Sequence, residues 1–194
     1  MPDIILASKS KVRLHILNKN NVVCSAKPSN VDEDEIKVAM LRDGASPKDI
    51  SKNLAEIKAN KVSQNNLDKI VIGADSVIDL ENEIISKPKN RSEALEILKK
   101  LNGKTHYLIS SVCISKDGNM IWNYTDKAKL TMKEFSLEEF KDYLGKVSDE
   151  ALYAYNVYQI EGIGSSLFSK IEGDKNTIMG LPVQKIKNYL NNHY

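Results

Sequence analysis

The chain has 194 residues, of which 41% are hydrophobic and 28% are charged. These proportions are typical of a soluble globular protein and exclude a collagen-like, coiled-coil or wholly disordered chain. The formal net charge of only +2 argues against a basic surface for nucleic acid or for a membrane, so neither is expected as a partner. The length predicts a single domain over residues 1–194.

The N-terminal half alternates between strand patterns and helix patterns. Apolar residues Ile50, Leu54 and Ile57 recur at helical spacing and predict the buried face of a helix. A β-branched run at 69–74 predicts a strand that is buried on both faces. The predicted elements are a strand (3–7), a helix entered through 8–11 and continuing to 17, a strand (22–26), an acidic loop (29–35), a helix (48–63) and the strand 69–74.

The C-terminal half contains several strands that are joined by short turns. A capping box formed by Ser136 and Glu139 predicts the start of a helix that continues to about residue 144. The other predicted elements are a hairpin (77–80 with 83–85), a helix (92–101), strands 106–115 and 120–124 around a KDGN turn, a strand (130–135), a strand-like segment (166–171) and a final helix ending near 191. Because hairpins alternate with helices, we predict an α/β fold with a mixed β-sheet flanked by helices.

The cysteines and the lengths of the apolar segments indicate in which cellular compartment the protein is expected. Cys24 and Cys113 lie far apart in apolar runs, which predicts reduced thiols in the core. The first apolar run is too short for a signal peptide, and no stretch approaches the roughly 20 apolar residues of a membrane span. We therefore expect a cytoplasmic protein.

The segment ILASKSKVR is the first candidate for chemistry. A helix N-terminus attracts phosphate, and here Ser8 and Ser10 add hydroxyl groups while Arg13 adds a planar cation. The alternative is that a serine caps the helix and the cations are solvated.

The second candidate is Asp75, predicted at the end of the buried strand, where it could hold a metal or take a proton from water. Its alternative is a turn-forming aspartate.

Four further features accompany these candidates. Lys58 borders the buried stripe of its helix, so its ammonium could reach a phosphate or simply extend to solvent. Lys87 precedes Pro88, which restricts it to extended geometry, although a plain surface loop is the alternative. The acidic run 32–35 is either a solvated surface or the source of a second carboxylate that binds Mg²⁺ together with Asp75. The glycines of YQIEGIG (158–164) either allow the backbone to approach a ligand closely or simply form a turn. Together these cations, acids and the helix N-terminus suit the cleavage of a phosphoanhydride with a divalent metal.

These motifs, in this order, resemble the Maf family of nucleoside triphosphate pyrophosphatases, also called septum-formation inhibitor proteins. The resemblance covers residues 4–190, essentially the whole chain. The segments that carry it are ILASKSKVRLHIL, NVDEDE, LAEIKANKV, VIGADSVIDLENEIISKPK, LNGKTHYLISSV and YQIEGIGSSLFSKIEGDKNTIMGLPV.

The resemblance implies an elongated, two-lobed architecture like that of inosine triphosphatases, with the active site in a central cleft. It implies hydrolysis of modified or non-standard nucleoside triphosphates between the α and β phosphates, giving a monophosphate and pyrophosphate. The implied cofactor is Mg²⁺ or Mn²⁺, and the chain can be expected to form a homodimer. A nucleotide-binding regulator of septum formation, with weak or no catalysis, is the alternative.

Individual positions match the motifs of the family. Asp75 matches its catalytic base, and Glu33 with Asp75 matches the residues that hold the metal. The matches for substrate binding are Ser8, Ser10, Arg13, Lys58, Lys87 and Glu161.

The sequence also departs from the family pattern at three positions. Val12 replaces an arginine, Ala154 replaces a lysine, and Glu161 replaces a glutamine. Glu161 could accept from an amino group of the base or could face the metal. GADSV is similar to the subgroup that acts on dTTP and UTP, whereas the EG of YQIEG also occurs in the 7-methyl-GTP subgroup, so the base preference stays open.

Overall fold

The computed structural model describes residues 3–154 and 156–194, the side chain of Ala154 excepted. A seven-stranded mixed sheet forms the centre, in the order β2-β1-β3-β5-β6-β7, and β4 pairs with β3. The strands are β1 (Ile4–Leu6), β2 (Ser25–Ala26), β3 (Ile70–Leu80), β4 (Glu83–Ile85), β5 (Thr105–Lys116), β6 (Asn119–Met132) and β7 (Phe168–Glu172). The expected α/β class with a mixed sheet is confirmed.

Helices cover both faces of this sheet. They are α1 (Lys11–Lys19), α2 (Glu33–Arg42), α3 (Pro47–Gln64), α4 (Arg91–Leu101), α5 (Leu137–Lys146), α6 (Asp149–Ala154), α7 (Lys175–Ile178) and α8 (Val183–His193), with a 3-10 turn at Ile163–Leu167. In the described residues, no helix combines the length and the apolar character needed to cross a bilayer.

The edge of β3 that faces β1 is paired in two separate stretches. β1 runs parallel to it and its register ends at Leu6 opposite Ile72. β4 runs antiparallel to it and begins its register at Ile78 opposite Ile85. Between these stretches, at residues 73–77, no described strand pairs with this edge. Because β1 and β4 run toward each other along β3, the segments that follow both strands converge on this gap.

One face of the sheet carries two apolar cores that meet near the gap. The first contains Ile72 and Val112 and is closed by α1 and α8 through residues such as Ile186. The second contains Ile78 and Leu108 and is closed by α4, α5 and the segment after α6. The strands β3 and β5 run through both cores, so the expected two lobes share one sheet.

The opposite face packs closely against α3. A Cβ atom at Gly73 would overlap the carbonyl oxygen of Ala55 and crowd Ala59, so only glycine allows this approach of helix to strand. The close approach also brings Lys58, which lies between Ala55 and Ala59 on α3, into contact with Asp75.

Several predicted elements were wrong in extent. The acidic loop 29–35 is in part the start of α2, because Asp32 accepts from the backbone N–H of Glu35 and three acids in the first turn favour the helix dipole. The strand 69–74 continues to residue 80, so Asp75 lies inside a strand and not after its end. The strand 120–124 and residues 130–132 of the predicted strand 130–135 belong to the single long strand β6, which ends at Met132 and pairs continuously with β5 except for one bulge.

Candidate functional site

Asp75 lies at the gap in β3, with its side chain directed toward α3. It is only 4% exposed, and its Oδ1 accepts a hydrogen bond of 2.8 Å from Nζ of Lys58. Its backbone oxygen accepts from the hydroxyl of Ser51, which fixes the strand to the helix. The second carboxylate oxygen, Oδ2, is buried and has no hydrogen-bond partner among the described groups. A buried anionic oxygen without a partner is unfavourable unless a ligand, water or cation completes it.

Lys58 joins Asp75 to a second carboxylate. Its Nζ lies 2.9 Å from Oε1 of Glu33, while Nζ of Lys37 lies 4.0 Å from the other oxygen of Glu33. Burial favours the neutral form of Glu33, but Lys58, Lys37 and Arg13 together outweigh it and lower the pKa of this carboxyl. Both acids therefore lie within hydrogen-bond distance of the same buried lysine nitrogen.

Arg13 donates hydrogen bonds to β3 at the gap and to the segment that precedes α8. Its Nε donates to the carbonyl of Gly180 at 2.9 Å, its Nη1 to the carbonyl of Ala74 at 3.0 Å, and its Nη2 to the hydroxyl of Ser76 at 3.1 Å. Burial lowers the pKa of the guanidinium, while Asp75 and Glu33 oppose this shift. Gly180 suits its place because its φ is +100° and a Cβ there would contact Ser76 and Arg13.

Ser8 and Ser10 order the start of α1. Ser10 is the N-cap, and its Oγ accepts from the backbone N–H of Arg13 at 3.3 Å. Oγ of Ser8 accepts from the backbone N–H of Ser10 at 3.1 Å and is 3.5 Å from Nη1 of Arg13. The capping interpretation is thus confirmed for Ser10. In these contacts both hydroxyls act as acceptors, so they can still donate their own protons to an anion.

Lys87 approaches the same gap from β4. It is an exposed residue, yet desolvation and the nearby Arg13 lower the pKa of its ammonium, while Glu33 and Asp75 partly restore it. These electrostatic interactions place Lys87 in the same cluster as the two acids.

The structure does not bring Glu161 into contact with this cluster. Its carboxylate pairs with Nζ of Lys175 at 3.6 Å, on the short helix α7. The end of that helix leads to Gly180, which binds Arg13. Glu161 is therefore linked to the site only indirectly. The departure predicted at Ala154 concerns a side chain outside the described part of the structure.

The sequence reasoning overlooked Ser76 and Gly180, the partners of Arg13. The only local signals were the hydroxyl that follows Asp75 in GADS and the glycine of GLP. The arginine and Gly180 are separated by 167 positions, so no short motif relates them. Lys37, one turn after Glu33 on α2, was also overlooked because Glu33 was assigned to the acidic loop 29–35 and no helix was predicted after it.

The chain is similar over nearly its whole length to proteins named as nucleotide pyrophosphatases. A nucleoside triphosphate pyrophosphatase of Pelagibacter ubique is 66% identical over 188 residues, covering 97% of this chain and 96% of the relative. A 7-methyl-GTP pyrophosphatase of Brucella abortus is 38% identical over 180 residues, covering 93% of this chain and 90% of the relative. The solved structure of a HAM1 protein from Coxiella burnetii matches with a TM-score of 0.57 and 13% identity, over 99% of this chain and 100% of that one, which shows a shared fold.

The family comparison covers nearly the whole chain. The model of the family described as Maf-like protein matches residues 3–193. The match contains the gap in β3, both carboxylates and the lysine that joins them. The chain therefore belongs to the Maf family.

Proposed function

We propose that this protein is a nucleoside triphosphate pyrophosphatase that cleaves the anhydride between the α and β phosphates. The observation that carries the proposal is the buried Lys58 ammonium bound to Asp75 and Glu33, beside an Asp75 oxygen that lacks a partner. The names of the relatives support catalysis over the alternative of a regulator that only binds nucleotides.

Asp75 is the proposed general base. Its unpartnered Oδ2 accepts a proton from water while the water oxygen attacks a phosphorus beside the bridging oxygen. The bond to the bridging oxygen breaks, and pyrophosphate and the monophosphate separate. Lys58 fixes the direction of this carboxylate, because its Nζ donates to the other oxygen at 2.8 Å.

The donor set fits a magnesium or manganese ion. No group of three or more acidic, histidine or cysteine side chains forms a metal cluster within the described residues. Mg²⁺ usually binds one or two carboxylates together with substrate phosphates, and Asp75 and Glu33 each keep an oxygen that Lys58 does not bind. These two residues would hold the ion, which would neutralise phosphate charge.

Arg13, Lys87 and the serines are proposed to bind the phosphates. Arg13 has five N–H donors, and the contacts described above leave one Nη2 proton for a ligand. Lys87 adds a second cation close to the two acids. Ser8 and Ser10 can donate from the N-terminus of α1, where the helix dipole favours anions.

Glu161 is proposed to contribute to base recognition. Its ion pair with Lys175 would have to open, and an exposed pair of this kind contributes only about 0–1 kcal/mol. Since one relative is named for 7-methyl-GTP and another for nucleoside triphosphates in general, the panel of substrates must include both types.

We further propose that residues 1–194 act as one domain and that two copies form a homodimer. Support for the first point comes from β3 and β5, which pass through both apolar cores. Size-exclusion chromatography with light scattering tests the second.

The decisive assay is pyrophosphate release from dTTP, UTP, CTP, 7-methyl-GTP and the standard purine nucleotides, with Mg²⁺, with Mn²⁺ and with neither. We expect metal-dependent release with a clear preference for one base. Nucleotide binding without release from any substrate would favour the regulator.

A further inference from the structure

A polar row crosses the sheet between the two apolar cores. Ser76 of β3 pairs in register with Ser110 of β5, which pairs with Asp126 of β6. The two neighbouring rows on the same face of the sheet are apolar. One consists of Ile78, Leu108 and Ala128, and the other contains Ala74 and Val112. Ser110 is fully buried. A buried polar row of this kind is stable only if its hydrogen bonds are satisfied.

Counting donors fixes the direction of the hydrogen bonds. Ser110 gives its single hydroxyl proton to the carbonyl of Thr177 at 2.7 Å, and a carbonyl can only accept. In the 2.8 Å contact between the two serines, Ser76 must therefore be the donor. Ser76 in turn accepts from Nη2 of Arg13. The chain of bonds runs in one direction, from Arg13 through Ser76 and Ser110 to Thr177.

A short segment covers this row from the side opposite the sheet. Thr177 donates its own hydroxyl to Asp126 at 2.6 Å, and its backbone N–H donates to Asp174 at 2.9 Å. Three residues later, Gly180 accepts from Nε of Arg13. Two of the contacts that hold the guanidinium, those with Ser76 and Gly180, thus depend on where Thr177 is anchored, whereas its bond to the carbonyl of Ala74 is made to β3 itself.

We infer that Ser110, which lies in the row and touches no proposed substrate atom, is a positioning residue that sets the direction of the Arg13 guanidinium. Without the Ser110 hydroxyl, Ser76 has to donate elsewhere, and the carbonyl of Gly180 lies 3.4 Å from its Oγ. A full hydrogen bond to that carbonyl requires the Ser76 hydroxyl to move toward it, and because Oγ of Ser76 accepts from Nη2 of Arg13, the guanidinium would be redirected with it. The inference rests on the proposed pyrophosphatase activity, in which Arg13 binds phosphate.

The test is a double-mutant cycle on Ser110→Ala and Arg13→Lys, read as kcat and KM for pyrophosphate release. The matched control is Ser115→Ala. Ser115 lies in the same strand and is equally buried; it donates to Asn60 at 2.7 Å and lies 3.5 Å from Sγ of Cys113, and neither contact involves Arg13. Wild-type turnover is measured first, so that failure of the activity itself is distinguished from failure of the positioning role.

We expect Ser110→Ala to lower kcat/KM about tenfold, Ser110→Thr to restore most of it, and Ser115→Ala to change it less than about twofold. In the Arg13→Lys background, Ser110→Ala should cause no further loss. Equal losses in both backgrounds, with wild-type turnover intact, would overturn the inference.

Should Ser110→Ala fail to fold, Thr177→Val provides the second cycle. This variant keeps the backbone carbonyl and removes only the hydroxyl that binds Asp126. The same non-additivity with Arg13→Lys is expected. Additive losses there would also contradict the positioning role.

Discussion

The buried pair of Lys58 and Asp75 gives the most quantitative prediction. Their side chains are each only 5% exposed, and Oδ2 of Asp75 already lacks a partner. In Lys58→Met the carboxylate would have no partner at either oxygen. Breaking a buried ion pair in this way costs about 3–5 kcal/mol of unfolding free energy. Replacing both residues in Lys58→Met/Asp75→Asn removes the buried charge, so we expect the double variant to recover at least about 2 kcal/mol.

Urea denaturation at neutral pH, followed by linear extrapolation, measures these differences. The matched control is Lys69→Met, which removes a lysine–aspartate pair at the surface, where Lys69 is 41% and Asp3 is 78% exposed. That variant should lose no more than about 1 kcal/mol. Equal losses for the buried and the exposed lysine, or a double variant less stable than Lys58→Met, would refute the reasoning.

Three other predictions address packing, pH and the metal. Gly73→Ala should destabilise the fold by about 1–3 kcal/mol or more, because the added Cβ atom would overlap α3. The control Gly145→Ala, on an open side of α5, should stabilise the fold by up to about 1 kcal/mol. Thermal unfolding of the two variants measures both effects. Burial lowers the pKa of His106 to about 4 from 6.5. The stability due to its neutral form is therefore present above pH 6.5 and lost as pH falls toward 4, by about 3 kcal/mol. His106→Phe should flatten this part of the stability–pH profile, and an unchanged profile would contradict it. Chelation with EDTA should abolish turnover, and added Mg²⁺ should restore it; activity that persists in EDTA would exclude a metal requirement.

Local patterns in the sequence were sufficient to predict most of the helices. Ser136 and Glu139 form the predicted capping box, with both reciprocal hydrogen bonds present. The stripe of Ile50 and Leu54 is buried, and Lys58, at its border, is buried as well because it has an anionic partner. The same local logic failed for α2, since an acidic run is typical both of a solvated loop and of the first turn of a helix.

The site could be predicted residue by residue but not as an arrangement. Glu33, Lys58 and Asp75 were each identified, yet nothing local indicates that one ammonium bridges both acids. The role of Arg13 as a link between segments depends on Gly180, which is brought near by the packing of α8 against α1 and by the hydrogen bonds of Thr177. Contacts of such large sequence separation follow from topology and not from periodicity.

Product analysis tests the central claim most directly. Purified protein is incubated with its preferred nucleoside triphosphate, and monophosphate, diphosphate, pyrophosphate and phosphate are quantified for the wild type, Asp75→Asn and Asp79→Asn. Asp79 is the matched control, because it is also a buried aspartate on the same face of β3 but accepts from the backbone N–H of Asn82 in the adjoining turn.

The account predicts monophosphate and pyrophosphate in equal amounts for the wild type and for Asp79→Asn. It predicts a loss of at least about 100-fold for Asp75→Asn with its fold retained. Release of diphosphate and phosphate, or turnover by Asp75→Asn at the wild-type rate, would contradict it.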